Sequence, residues 1–554
     1  MSDPGFDIFA GTRRAASVIV LRDRTDAEGF EVLMLRRAER DGDFRSGAAV
    51  FPGGALDVRD REAHRHGIGW DDAAASRRLA VDEGGLDYLI AAARECFEEV
   101  GLLFADGIDA AGLHSAHTQW RGPLQSGERS IAALCEALGM CIDLRGWHYL
   151  SHWLTPPGLP KRFDTRFFVA RAPEGQTATP DLAEAVELMW LTPAQALEPQ
   201  RQLTLLPVTR RTLQMLAAFA DVQAVLTFAS GQAAVPMTMP RRAVSAKGMR
   251  IVLPDEHAYA EIGRLDPEGR ADAHADIVAG RVVQLSPRVI RITAPNPGLM
   301  TGPGTNSYLI GDPVLNRWTV VDPGPVDEAH LQALLAAAPG PIEQILVTHT
   351  HVDHSPGALA LAAATGAPVL GMRPRHAVGQ DTTFAPLREP EPGEVLVLGS
   401  GTTLRVLHTP GHASNHLCYL LQEEKTLFTG DHVMQGSTVV INPPDGDMAA
   451  YLRALNELLV IDLDWLAPGH GFLVARPHDV LRALIAHRLA REARVVAALR
   501  SRPRATLDEL LPRVYADVPS AVHPVARRSL LAHLLKLEAE GSAQSDAGAW
   551  ASTA

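Results

Sequence analysis

Cysteine is scarce: Cys96, Cys135, Cys141 and Cys418 are the only four in 554 residues. None forms a C-x-x-C pair, which excludes a disulfide scaffold and a thiolate zinc site. No run of about 18 apolar residues occurs, so no membrane span is expected. Met1 to Ala16 lacks the apolar core of a secretory signal. Together these absences lead to an expected reducing, cytoplasmic compartment. Basic residues are also in deficit, with 52 Lys+Arg against 65 Asp+Glu and a net charge of −13. A chain this acidic is not a general nucleic-acid coat. The rest is ordinary for a globular protein, with 46% apolar and 21% charged residues. Its length fits roughly three or four domains of about 150 residues. Histidine stands out at 22.

Periodicity and punctuation divide the chain. Residues 14–228 read as one unit, with apolar runs at Ala15–Leu21 and Glu31–Leu35, the pair Gly53-Gly54, and a helical pattern from Leu86 to Phe104. Residues 229–281 have little periodicity and hold Pro236, Pro240, Pro254 and Pro267, so they read as a linker or extension. Residues 282–475 alternate strand patterns (Val289–Ile292, Ser307–Ile310, Trp318–Val321, Ile342–Val347) with a helix at His330–Ala338, which is α/β layering. Residues 476–541 form a helical tail with Leu481, Leu484, Ile485, Leu489 and Val496 near helical spacing.

In Arg94-Glu95-Cys96-Phe97-Glu98-Glu99-Val100-Gly101-Leu102, the residues Glu95, Glu98 and Glu99 stand at i, i+3 and i+4 and share one helix face. Three clustered carboxylates repel one another unless a cation holds them. Hard Mg²⁺ takes such oxygen ligands and bridges to substrate phosphates. The stretch resembles the second half of the Nudix hydrolase signature, R-E-U-x-E-E-x-G-U with U apolar. That family's glycine lies 14 positions before the arginine, whereas Gly54 lies 40 before Arg94, an insertion of 26 residues. Counted back from Arg94, the family's earlier acidic position falls on Leu86 and is empty.

The segments Leu33–Ala38, Gly47, Phe51–Gly54, Trp153–Pro156 and Arg162–Thr165 resemble a Nudix subgroup that acts on coenzyme A and its acyl esters, although Gly42 stands where that pattern has an arginine. The resemblance implies an α/β/α sandwich and hydrolysis of a small-molecule diphosphate, with CoA derivatives as the substrate class. It also implies Mg²⁺ or Mn²⁺ held by Glu95, Glu98 and Glu99, with Glu98 catalytic.

His349-Thr350-His351-Val352-Asp353-His354 follows the strand Ile342–Val347, a dense set of imidazole and carboxylate ligands suited to Zn²⁺. His412, Asp431 and His470 recur at wide spacing, each beside Gly or Pro and so on a loop. This pattern resembles the metallo-β-lactamase superfamily over roughly residues 282–475, which implies an αββα sandwich with two Zn²⁺ ions. In that pattern one ion takes His349, His351 and His412, the other takes Asp353, His354 and His470, and Asp431 bridges them. A shared water activated between two cations is the implied nucleophile, with Asp353 orienting it or taking up a proton.

Asn296–Thr301, Gly304–Leu309 and Gly411–His416 resemble the glyoxalase II-like branch, and within it the endoribonuclease beta-lactamase-like proteins. That implies Asn306 and His416 as catalytic residues near the substrate, and a role for Asp322 in fixing a ligand histidine.

The tail from Arg476 to Gly541 has 12 Lys/Arg and 7 Asp/Glu, a local net of +5. His487-Arg488, Arg491-Glu492 and the helix around Arg527, Arg528 and Leu530–Leu537 resemble the winged-helix tail of the endoribonuclease-like proteins. Single-stranded RNA held through arginines and a homodimer are the partners this implies. The expected chain is thus an α/β and α+β multidomain protein: a Nudix hydrolase, a metallo-β-lactamase-fold hydrolase and a winged-helix tail. For the second half three activities compete: RNA cleavage, thioester hydrolysis of glyoxalase II type on acyl-CoA, and a metal-stabilised RNA-binding scaffold without catalysis.

Overall fold

The structure is a computed structural model that describes residues 6–39, 46–399, 401–502 and 504–553; Gly42 lies outside them. Contacts divide it into two units, one up to Arg242 with Glu268–Arg270, the other Ala243–Pro267 with Ala271 onward.

The first unit is built on β1 (Thr12–Asp23), β2 (Phe30–Arg37), β3 (Gly53–Ala55), β4 (His148–Leu154), β5 (Arg162–Arg171) and β6 (Ala185–Leu191). Its main sheet runs β6-β2-β1-β5-β4, with β3 paired to β1. Strand β1 runs parallel to β5 from Thr12↔Arg162 to Leu21↔Arg171. Alternation decides the layers. Val18, Val20, Leu33 and Leu35 pack on Leu89, Ala92, Ala93, Cys96 and Phe97 of helix α1 (Gly85–Val100). Ile19, Leu21, Val32 and Met34 turn the other way, onto α2 (Pro207–Leu216) and α3 (Val222–Gly231). The result is an α/β/α sandwich. Helix α1 stops at Gly101, whose φ of +72° is a left-handed cap that a side chain would strain.

The stretch 229–281, which the sequence presents as linker or extension, contains β7 (Arg241–Ser245), β8 (Gly248–Val252) and α4 (Tyr259–Leu265). Ala243, Val252, Ala258 and Ile262 form a small core of their own there. The apolar positions are too few and too interrupted by proline to show as a period.

Two sheets face each other in the second unit. One runs β9 (Val282–Ser286), β10 (Val289–Thr293), β11 (Asn306–Asp312), β12 (Arg317–Val321) and β13 (Ile342–Leu346). The other runs β14 (Val395–Gly399), β15 (Thr402–His408), β16 (Leu417–Leu421), β17 (Thr426–Gly430) and β18 (Trp465–Pro468). Tyr308 and Ile310 of β11 meet Leu417, Tyr419 and Leu421 of β16 between the sheets. Leu309 turns outward beneath α5 (Glu328–Ala337) and α6 (Gly357–Thr365). Cys418 and Leu420 turn outward beneath α7 (Met448–Leu458). Period-two patterning on two paired sheets thus produces an αββα sandwich.

The tail comprises α8 (Pro477–Arg500), α9 (Leu507–Val514), α10 (His523–Ala539) and a hairpin of β19 (Ala543–Asp546) and β20 (Ala549–Ser552). The hairpin lies past Gly541, where the tail was expected to end, and Trp550 anchors it to Leu499, Leu510 and Leu534. Among the described residues no helix is long and apolar enough to cross a membrane.

Candidate metal centres

In the first unit the carboxylates of α1 stand against a glycine turn. A Cβ on Gly54 would lie 2.4 Å from the Glu95 carboxyl carbon, so the Glu95 carboxylate lies directly against the turn. The Gly53 N–H donates to Glu99 Oε2 at 2.9 Å. Burial raises the pKa of Glu95, pushes Glu98 up to about 7 and lifts Glu99 well above the usual carboxylate range. The local positive charge is small: Arg94 serves Glu95 at 2.9 Å and Glu98 at 3.4 Å, and Arg37 stays 3.9 Å from Glu99. Buried acids short of counter-charge are a fitting seat for a hard divalent cation. The cleft around them has a volume of about 650 Å³. Arg13 and Lys161 on its wall pair with no carboxylate among the described residues.

The expectation that the early acidic position is empty needs correction. Leu86 is indeed buried in the core. Counted forward from Gly54 instead, the sixth residue is Asp60, and its carboxylate holds Arg94 at 2.8 Å. The insertion therefore follows the acidic position rather than preceding it. Asp60 is 1% exposed and sits in the turn Val58–His66, whose Asp57 cap donates its backbone N–H to Asp60 at 2.8 Å. The spacing from Gly54 was the available signal.

In the second unit strands of both sheets end at one edge, and the loops that follow carry the ligands. Asp322 follows β12, His349–His354 follow β13, His412 follows β15, Asp431 follows β17 and His470 follows β18. Two ligand groups result, His349 with His351 and His412, and Asp353 with His354, Asp431 and His470. Within each, the donor atoms all lie within 4.8 Å of one another. His351 Nδ1 is 2.9 Å from His349 Nε2 and 3.0 Å from His412 Nε2. Asp431 turns Oδ1 toward His354 and His470, at 3.4 and 3.3 Å, and Oδ2 toward His412 at 3.7 Å. One carboxylate thereby faces both groups.

The outward nitrogens of these rings are already engaged. His354 Nδ1 donates to Asp322 Oδ2 at 2.9 Å, His412 Nδ1 to Val440 O at 2.7 Å and His470 Nδ1 to Gly304 O at 3.1 Å. Thr348 donates its hydroxyl hydrogen to Asp322 at 2.7 Å, so His349 Nδ1 donates to Thr348 Oγ1 at 3.0 Å. Each ring then presents a lone pair inward. His354 Nε2, His470 Nε2 and Asp431 Oδ1 are buried and without a hydrogen-bond partner. Orphaned inward atoms of this kind fit bound cations. Thr348, which links Asp322 to His349, has no signal in the sequence beyond its adjacency to a ligand.

Two residues expected to be catalytic, His416 and Asn306, are fully buried. His416 is fully buried, donates from Nδ1 to Thr409 Oγ1 at 3.0 Å and accepts the Asp431 N–H on Nε2 at 3.2 Å. It stacks on His349 at 5.0 Å and so supports the ligands from behind. Asn306 is fully buried too; its amide donates to Pro468 O at 3.1 Å and Gly471 O at 2.8 Å, and its oxygen accepts from Thr293 at 2.8 Å. It pins the loop that carries His470. Asp353, by contrast, keeps 22% of its side chain exposed at the mouth.

Three family models match the chain in order: the NUDT19 Nudix domain over residues 71–207, the metallo-beta-lactamase superfamily over 300–470, and the beta-lactamase associated winged helix domain over 506–550. The Beta-lactamase-like protein 2 homolog of Drosophila melanogaster is 32% identical over 47% of this chain and 91% of its own length. The Atrochrysone carboxyl ACP thioesterase of Aspergillus chevalieri is 32% identical over 46% of this chain and 82% of its own. A NUDIX hydrolase structure from Alicyclobacillus acidocaldarius is 26% identical over 39% of this chain and 96% of its own, with a TM-score of 0.32.

Proposed function

We propose, for a chain that belongs to the metallo-β-lactamase superfamily and carries a Nudix domain ahead of it, that its two hydrolytic centres cut two different bonds of a coenzyme A thioester. The second unit hydrolyses the thioester and the first the diphosphate. The observation that carries this is the pair of ligand groups facing one carboxylate, Asp431, beside arginines that are already occupied.

Arg488 is 3% exposed and donates to Val439 O, while Arg491 is 6% exposed and donates to Val514 O and to Asp517 at 2.7 Å. Arg494 pairs with Asp517 at 2.8 Å. Arg488 holds the tail onto the sandwich and Arg491 is committed within the tail, so these two buried guanidiniums are not available to a phosphate backbone. The Aspergillus relative is an atrochrysone carboxyl ACP thioesterase, which supports the thioester end. Arg13 and Lys161 beside the carboxylate helix support a polyanionic diphosphate at the other.

Two Zn²⁺ in the second unit and Mg²⁺ or Mn²⁺ in the first would lower the pKa of water and polarise the acyl or phosphoryl oxygen. The chain's own residues do the rest. Asp353 lies 3.4 Å from His470 Nε2 at the mouth and is placed to orient water and take up its proton. His416, Asp322 and Thr348 keep the ligands in register. Burial pushes Glu98 up to about 7, which suits proton exchange near neutral pH.

A second reading, cleavage of single-stranded RNA, is favoured by Arg500, Arg513 and Arg528, which are exposed and have no carboxylate partner among the described residues. The test is release of free thiol from an acyl-CoA by wild type and Asp353→Ala with Zn²⁺ present, run beside a labelled single-stranded RNA. Thiol release by wild type alone is expected. RNA cleavage without thiol release would transfer the second unit to the nuclease class.

A further inference from the structure

We infer that the cleft between the metal-ligand loops and the helical tail is an acyl pocket, whose size sets the chain length of the thioester hydrolysed. This rests on the thioester reading above and names the substrate class that reading leaves open.

The cleft holds about 280 Å³. His412 and Asp431 of the metal centre share its wall with Val518, Val522 and Val525 of the tail. A ligand whose reacting carbonyl sits beside His412 and Asp431 therefore has the tail valines within the same cleft for its chain. The rim carries Leu299 and Met300, 81% and 46% exposed, large apolar side chains with nothing covering them. Such a rim is stabilised by an apolar ligand and not by a phosphate.

The two arginines in the wall do not make it a polyanion site. Arg488 lies over the Tyr451 ring at 5.4 Å and gives one N–H to Val439 O, its buried Nε having no partner, while Arg491 lies over Tyr515 at 4.3 Å and bonds Val514 O and Asp517. Both side chains are almost wholly buried, at 3% and 6% exposed, so little of either charge reaches the cleft. His487, also in the wall, has its pKa lowered by burial and by the neighbouring Arg488 and Arg491, so it enters neutral. A volume at the lower end of small-ligand sites fits a short or medium acyl chain.

The experiment uses the full chain loaded with Zn²⁺ and a series of S-acyl-N-acetylcysteamine thioesters from acetyl to dodecanoyl. The expected kcat/KM rises about fourfold per methylene until the cleft is full, then falls. Val525→Phe should move the optimum to a shorter chain and lower the octanoyl-to-acetyl ratio about tenfold; Val525→Ala should move it to a longer one. Leu299→Glu, at the exposed rim where folding is safe, should also lower that ratio. Calorimetry with the matching S-alkyl thioethers, which cannot be hydrolysed, should give the same order of affinities. Flat chain-length dependence, or variants that lower the acetyl and octanoyl rates by one common factor, would overturn the pocket while leaving the thioester reading intact. If no thioester is hydrolysed, that reading falls, and the thioether series decides the pocket alone: graded binding sustains it, absence of binding ends it.

Discussion

The carboxylate-helix site and the histidine centre solve one problem, holding cations, in opposite ways. The first takes three of its acids from one helical face, Glu95, Glu98 and Glu99, and leaves them short of counter-charge. The second gathers seven ligands from loops spread between His349 and His470, and four of them, His349, His354, His412 and His470, are fixed from outside by a hydrogen bond. A site on one rigid helix has few supports, chiefly the pair Asp60 with Arg94 and the Gly53 N–H on Glu99. A site assembled from loops depends on many supports, among them Asp322, Thr348, Asn306 and His416. Preorganisation by one element and preorganisation by a network should therefore fail differently.

The largest effect is expected at the loop centre. Asp353→Ala should lower thioester hydrolysis by on the order of 10⁴-fold while diphosphate cleavage continues, measured as thiol release against phosphate-ester products. Equal loss of both activities would mean that the centres are not separate. Glu98→Gln should do the reverse, costing about 10³-fold in Mg²⁺-dependent diphosphate cleavage with thioester hydrolysis kept.

The supports come next. Asp322→Asn removes the carboxylate that receives the His354 N–H and should weaken metal binding about 10- to 100-fold, read by metal titration of the full chain. Asp60→Asn should lower diphosphatase activity in a similar range, because Arg94 loses its partner at 2.8 Å, and Asp60→Glu should restore part of it. A silent Asp60→Asn would show that the helix alone organises the first site.

The smallest effect concerns stability. Burial lowers the pKa of His330 to about 4 from its ordinary 6.5. Its neutral form is thus favoured in the folded state. The contribution is present above pH 6.5 and is lost as pH falls toward 4, up to about 3 kcal/mol. His330→Leu should flatten the denaturation midpoint over that window; an unchanged slope would exclude His330 as its source.

The same contrast explains what the sequence made visible. The helix face was readable because i, i+3, i+4 spacing is local, and the layered folds because strand alternation is local as well. The seven histidine-centre ligands were readable despite their spread, since four crowd into His349–His354 just past an apolar run and His412, Asp431 and His470 each stand beside Gly or Pro. Asp60 was missed because the insertion falls between it and Arg94, so counting from the wrong anchor landed on Leu86. Asn306 and His416 carry side chains that could serve either substrate or scaffold. Only burial and partners, absent from a sequence, assign them to the scaffold. Arg488 and Arg491 likewise look like a basic surface until the α8 packing turns them inward.

On this reading one molecule is cut at two bonds by two separate centres. Mass spectrometry of the products of one acyl-CoA, incubated with Zn²⁺ and Mg²⁺ and with wild type, Glu98→Gln or Asp353→Ala, tests it most directly. The account predicts free thiol and split diphosphate from wild type, free thiol with an intact diphosphate from Glu98→Gln, and an intact thioester with split diphosphate from Asp353→Ala. An acyl-CoA left whole by the wild-type protein would contradict it.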